Sequence, residues 1–220
     1  MDSNPVTHAR HTLIVANPGH FHAALTLRQQ HPRLDENVHV YAEDGPDLER
    51  FIAIVQVFNA RAQDPTRWRL HVHRGPGWLD RLLDERPGRL AVVAGRNDAK
   101  IDLIQRLHAA GLHVLADKPW LIDATRLDAL GEVCRTAPLA MDIMTERHEV
   151  AVRLMQALMR DAHVFGEPQS LSMHSVHHLY KLVNGHPLVR PPWYFDTALQ
   201  GEGIGDVNTH LVDLALWMLG

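Results

Sequence analysis

One cysteine, no apolar run of bilayer-spanning length and little charge imbalance set the first limits on this 220-residue chain. Cys134 stands alone, which excludes an internal disulfide framework and fits a reducing compartment. Residues 1–10 are polar and lack the apolar core of a secretory signal. No stretch approaches the ~20 apolar residues that a membrane helix needs. A net charge of -4 gives no basis for a nucleic-acid or anionic-membrane partner. These absences lead to the expectation of a soluble cytoplasmic protein whose partner is a small molecule. What the chain has in excess is histidine, 17 in all, but scattered rather than clustered.

Over residues 1–143, strand-like apolar runs alternate with helix-length segments. Strands are expected at residues 12–16, 38–41, 69–73, 90–94, 112–116 and 139–142, with helices at 20–30, 47–61, 100–110 and 123–136. Near-continuous apolar strands separated by helices imply an α/β fold, a doubly wound parallel sheet covered on both faces. Such sheets bind ligands at the carboxyl ends of their strands. Asn17-Pro-Gly, Glu43-Asp44, Gly95-Arg-Asn97 and Asp117-Lys-Pro119 all fall at strand ends and are expected along one rim. After residue 143 the character changes: a helix at 146–160, an alternating strand at 170–176, and a Pro- and Gly-rich stretch at 177–195. The chain therefore divides into a Rossmann-like domain, 1–143, and the start of a second α/β domain built on a mixed open sheet, 144–220.

The first turn lacks two of the three glycines of a dinucleotide-binding fingerprint. Asn17, Gly19 and His22 occupy those positions, and only the middle glycine remains. Asparagine tolerates left-handed backbone, and a helix starting at His20 would offer free N–H groups to a phosphate. A ligand-free strand-turn-helix is an equal alternative. Glu43 and Asp44 follow at the distance where an acid holds a ribose hydroxyl, which would favour NAD over NADP. They also suit a solvated pair ahead of a helix. Lys118, before Pro119 in a strand-end turn, is either a fixed cation beside a reacting oxygen or a surface turn lysine.

The other unusual segment closes the chain. Asp206, His210 and Asp213 share one stripe of a helix that is otherwise apolar nearly all round and expected to be buried. Asp206 reads as an N-cap or as part of a polar network with His210. His174 and His178 would share a strand face as a metal pair, but no third ligand stands at fitting spacing, so no metal is assigned. His177, His178, Lys181 and Tyr194 are expected to line a pocket for a polyhydroxylated substrate, with an ordinary polar loop as the alternative.

Residues 107–119, Leu-His-Ala-Ala-Gly-Leu-His-Val-Leu-Ala-Asp-Lys-Pro, resemble the A-x-x-A-G-K-H-V-L-x-E-K-P segment of the Gfo/Idh/MocA oxidoreductases. Gly203-x-x-Asp206-x-x-x-His210-x-x-Asp213 resembles that family's second signature. The segments at 17–24, 176–185 and 190–196 are similar to a bacterial subgroup of it. The resemblance implies NAD or NADP bound by an N-terminal Rossmann domain, with Asn17, Gly19, His20, His22, Glu43, Asp44, Asn97, Lys118 and Pro119 toward the cofactor. It implies His210 as general base, tuned by Asp206, Lys118 near nicotinamide and substrate, and a sugar or cyclitol hydroxyl as the group oxidised. Where the family has T-P-N-x-x-H, this chain has Gly95-Arg-Asn-Asp-Ala-Lys100, in which only Asn97 matches. The expectation is an oxidoreductase acting on CH–OH groups, C-terminally truncated, with a homo-oligomer possible at full length. The rival is a non-catalytic dinucleotide- or sugar-binding protein on the same fold.

Overall fold

In the computed structural model, which describes residues 10–174, 180–183 and 185–220, the chain divides into two compact units, Met1–Asp142 and Ile143–Gly220. The first is built on a six-stranded sheet of β1 (His11–Ala16), β2 (Leu34–Ala42), β3 (Arg69–Arg74), β4 (Leu90–Val93), β5 (His113–Ala116) and β6 (Ala140–Asp142). Every pairing is parallel and the order is β3-β2-β1-β4-β5-β6. The chain winds outward from β1 in one direction, then returns to β4 and winds outward in the other. The switch point between β1 and β4 opens a crevice at the strand carboxyl ends.

Alternation along β1 explains the two cores. Leu13 and Val15 face one side, where they pack with Phe51, Val55 and Phe58 of α2 (Pro46–Ala60). Ile14 and Ala16 face the other, with Leu82 of α3 (Trp78–Glu85), Ile104 and Leu107 of α4 (Lys100–Ala109) and Val133 of α5 (Leu127–Arg135). Each fully buried aliphatic or Phe side chain contributes about 1.5–3 kcal/mol of transfer free energy.

One expectation about helices fails in this unit, and one helix was not foreseen. The helix expected at 20–30 is one turn, α1 (His22–Leu25). Beyond it the N–H groups of Leu27 and Arg28 reach carbonyls three residues back, and the Thr26 hydroxyl takes the Ala23 carbonyl, so the α-helical ladder stops. Helix α3 was not expected. Its signal was Trp78, Leu79, Leu82 and Leu83 at helical spacing after Gly75-Pro-Gly77.

The second unit holds α6 (Val150–Met159), α7 (Ala162–Phe165), a two-stranded antiparallel ribbon of β7 (Leu182–Val183) and β8 (His186–Pro187), α8 (Thr197–Gln200), and α9 (Thr209–Leu219) entered through a π-helical turn, Ile204–Asn208. Residues 170–174 of the strand expected at 170–176 carry no strand, and the rest of that segment lies outside the described residues. Helix α9 is not buried all round: Val212, Leu216 and Leu219 are exposed, and Met218 is its one buried residue. The described elements of this unit are short and provide no broad sheet to cover it. Among the described residues no helix is long and apolar enough to cross a membrane.

Candidate functional site

At the mouth of β1 the chain turns through Asn17, whose φ of 44° places it in the left-handed region. Its N–H donates to Tyr41 O, and its side-chain oxygen accepts from the Glu43 N–H at 3.4 Å, tying the β1 turn to the end of β2. The N–H groups of Gly19 and His20 both donate to Ala94 O at 2.9 Å. The expected free donors at this helix start are thus already engaged within the protein. A close approach permits this: a Cβ on Gly95 would meet Asn17 O at 2.9 Å.

The β2 end places Glu43 and Asp44 on the rim, both exposed. Asp44 pairs with Arg74, which also reaches Glu49. After β4, Asn97 is buried and its side-chain oxygen accepts a short hydrogen bond from the Lys100 ammonium. That ammonium also donates to Asp117 O at 3.0 Å, so it bolts the β4 loop to the turn after β5. Lys100 is 2 % exposed. The sequence reading passed over it, although its place at the last position of the T-P-N-x-x-H pattern was the available signal.

The β5 turn carries Asp117, Lys118 and a cis Lys118–Pro119 bond. Lys118 is 8 % exposed and therefore no ordinary surface lysine. Asp117 Oδ2 lies 2.7 Å from His20 Nδ1, and Oδ1 lies 3.0 Å from His22 Nδ1. Burial alone would raise the Asp117 carboxyl, but the contacts with His20 and His22 outweigh it and hold the group well below the ordinary carboxylate range. This trio joins residues about a hundred positions apart, beyond the reach of spacing rules. Asn17, Gly19, His20, Glu43, Asp44, Asn97, Lys118 and Pro119 all belong to the strand-end loops of this one unit, and His22 opens α1.

In the second unit each polar residue of the closing segment has its own partner. His210 Nδ1 lies 2.6 Å from Glu146 Oε1. Asp213 pairs with the Arg147 guanidinium through two contacts. Asp206, 5 % exposed, sits within the π-helical turn, and its Oδ2 accepts from the Tyr194 hydroxyl at 2.5 Å. The Arg190 guanidinium lies over the Tyr194 ring, 4.3 Å from its centroid. Asp206 is therefore not the N-cap of α9. Glu146 was missed by sequence reasoning because 64 residues separate it from His210. Lys181 is half-buried beside the ribbon, while His177 and His178 lie outside the described residues. His174, exposed, meets the Ser172 hydroxyl at 2.9 Å.

A carboxylate beside Nδ1 of an imidazole favours the protonated ring electrostatically, and Nε2 is the other nitrogen able to exchange a proton. A buried lysine at the end of a parallel strand supplies a fixed positive charge in a low-dielectric setting.

Residues 154–219 match the family model described as "Putative oxidoreductase C terminal domain". Among solved structures, the chain is similar to a "putative oxidoreductase" from Parabacteroides merdae, at 39% identity and a TM-score of 0.86, over 97% of this chain and 51% of that one. It is also similar to the WlbA dehydrogenase of Bordetella pertussis, solved with NADH and UDP-GlcNAcA, at 18% identity and a TM-score of 0.63, covering 98% and 57%. A "putative myo-inositol dehydrogenase" from Sinorhizobium meliloti follows at 16% and 0.61, covering 96% and 55%. The last two likenesses concern the fold. No curated protein matches the chain. The chain spans about half the length of these solved relatives. The 3-2-1-4-5-6 parallel sheet, the matched C-terminal domain model and the 39% identical relative together make the chain similar to oxidoreductases with a Rossmann-type fold.

Proposed function

We propose that this chain supplies the dinucleotide-binding unit and the opening of the substrate unit of a nicotinamide-dependent oxidoreductase, one acting on a hydroxyl carbon of a sugar- or cyclitol-like substrate. The observation that carries the reading is Lys118, buried at the carboxyl end of β5 in a sheet whose order reverses at β1 and β4. The named relatives that bind NADH and a nucleotide sugar, or are described for inositol, support the substrate class.

The residues present fit the cofactor at two points. Glu43 is exposed at the end of β2, where an acid accepts from ribose hydroxyls and repels a 2′-phosphate, so NAD is favoured over NADP. Asn97 and the Lys118–Pro119 turn, braced by Lys100, form a rigid face for the nicotinamide end. The N–H groups of Gly19 and His20 contribute nothing to a pyrophosphate while they bond Ala94 O. When bound, a nicotinamide supplies a hydride acceptor or donor. Within the second unit, His210, with Glu146 Oε1 2.6 Å from its Nδ1, is the group to take a hydroxyl proton at Nε2; within the first, Lys118 is the fixed positive charge for a developing oxyanion. Tyr194 and Asp206, joined by their hydrogen bond, and Lys181 present polar groups to a polyhydroxylated ligand, with His177 and His178 assigned there from sequence alone.

Fluorescence titration with NADH and NADPH, followed by an absorbance screen over sugars and cyclitols, tests the proposal. NADH is expected to bind more tightly than NADPH. His210→Ala and Lys118→Ala are each expected to lower turnover ~10²–10⁴-fold with NADH binding kept within a few-fold. Full turnover in both variants overturns the mechanism. The engaged N–H groups of Gly19 and His20 favour a second reading, a binding protein that performs no turnover, and binding without absorbance change across the screen would select it.

A further inference from the structure

His20, His22 and Asp117 form the one group among the described residues in which at least three potential metal ligands converge, with their donor atoms all within 4.8 Å of one another. We propose that these three residues bind a divalent first-row transition ion at the mouth of the β1–β4 crevice. The donor set is two imidazole nitrogens and one carboxylate, which suits Zn(II), Fe(II) or Co(II) rather than the all-oxygen preference of Mg(II) or Ca(II).

The geometry carries the inference. The two rings stand edge to face with centroids 4.3 Å apart, and each turns Nδ1 to a different oxygen of the same carboxylate, at 2.7 and 3.0 Å. Ligand atoms bonded at about 2.1 Å to one ion sit ~3.0–3.4 Å apart at octahedral to tetrahedral angles. The two His–Asp distances of 2.7 and 3.0 Å already lie near that range, and the two imidazole nitrogens, within 4.8 Å, would close on the ion. Both loops that present the ligands are rigid. The β1 turn is pinned by the bonds of Asn17 to Tyr41 O and of Gly19 and His20 to Ala94 O, and the β5 end by Asp117 N–H to Val93 O and Lys100 to Asp117 O. The Lys100 ammonium meets the main-chain oxygen of Asp117, and both carboxylate oxygens face imidazoles. Entry is from the His22 side: its side chain is 24% exposed, against 7% for His20 and 2% for Asp117.

A second histidine group on the sheet shows what a purely structural cluster looks like. His39, His71 and His73 stack face to face on β2 and β3, and although Glu85 comes within 4.0 Å of His73 Nδ1, their donor atoms do not gather into one ligand set. The His20–His22–Asp117 group differs in having its carboxylate at the focus. Two neutral imidazoles and one carboxylate carry one negative charge, so a divalent ion would leave a net positive charge and open coordination positions at the rim. That charge stands where the Gly19 and His20 N–H groups are already engaged, and it would draw an anionic oxygen.

The test uses the whole chain, treated with chelator and dialysed, with ions alone as probes. Cobalt(II) titration followed by visible absorbance is expected to show one saturable site at micromolar concentration, competed by zinc and not by magnesium. In His22→Ala, checked for unchanged circular dichroism, affinity for that site is expected to fall at least tenfold, while His174→Ala leaves it intact. X-ray absorption on the cobalt-loaded wild-type chain is expected to show two imidazoles and carboxylate oxygen, and it decides the matter even if His22→Ala does not fold. No saturable site, equal binding by wild type and His22→Ala, or a shell with fewer than two imidazoles overturns the proposal. None of these readouts depends on nicotinamide binding.

Discussion

At the scale of single residues, the closing helix shows how a polar group acquires its meaning from a distant partner. His210 looked like the colleague of Asp206, four positions earlier and on the same stripe. Its Nδ1 instead lies 2.6 Å from Glu146, while Asp206 accepts from Tyr194 and Asp213 from Arg147. Helical spacing shows which residues share a face, but not which elements that face meets. Under the proposed mechanism Glu146 is a positioning residue, acting through His210. Glu146→Gln keeps the size and loses the charge, and it is expected to lower kcat ~10–100-fold with KM little changed, partly restored in Glu146→Asp. Steady-state kinetics on a substrate found in the sugar screen would check this, and a rise in KM alone would contradict it. The residues of the first unit were more legible: Lys118 before Pro119 stood out in the chain, and burial then raised it above a surface turn lysine.

At the scale of elements, all six strands of the large sheet were visible, and the central ones as apolar runs, because a parallel strand covered on both faces must be apolar nearly throughout. The exception is instructive. Residues 69–73 alternate with polar groups because His71 and His73 join His39 and Tyr41 in a stack of aromatic rings beside α3, whose Glu85 takes the Tyr41 hydroxyl. Loops were less legible, since their shape depends on what they pass. The β1 turn crosses so close to the loop after β4 that Gly95 has no room for a side chain. Gly95→Ala would push a methyl against the Asn17 carbonyl, which is backbone and cannot swing aside. It is expected to cost about 1–3 kcal/mol in urea unfolding and to weaken NADH binding, because the turn must shift. An unchanged unfolding midpoint would show that the two loops do not meet this closely.

For the whole molecule, the stacked histidines make stability depend on pH. Burial, then the neighbouring imidazoles, push His39 down from the ordinary value of 6.5, and burial, then Arg81, push His73 down. The unfolded chain thus binds these protons more readily. The stabilisation is fully present above pH 6.5 and is lost as pH falls through the lowered folded values. Asp117 has the same sign, its contribution being lost only below the ordinary carboxylate value of 3.8. Thermal unfolding is therefore expected to fall by several degrees between pH 7.5 and 5, with a flatter profile in His73→Gln. A melting temperature that rises on acidification would contradict the assignment. By itself the sequence determined the doubly wound parallel sheet, the rim of strand-end loops and a resemblance to oxidoreductases, because periodicity, turn residues and motifs are local and survive without knowledge of neighbours. Only the tertiary structure decided that the N–H groups of the first turn are engaged, that His20 and His22 converge on Asp117, and that Glu146 holds His210. Each of these joins chain segments dozens of residues apart, and such contacts are set by how elements pack rather than by any spacing along the chain.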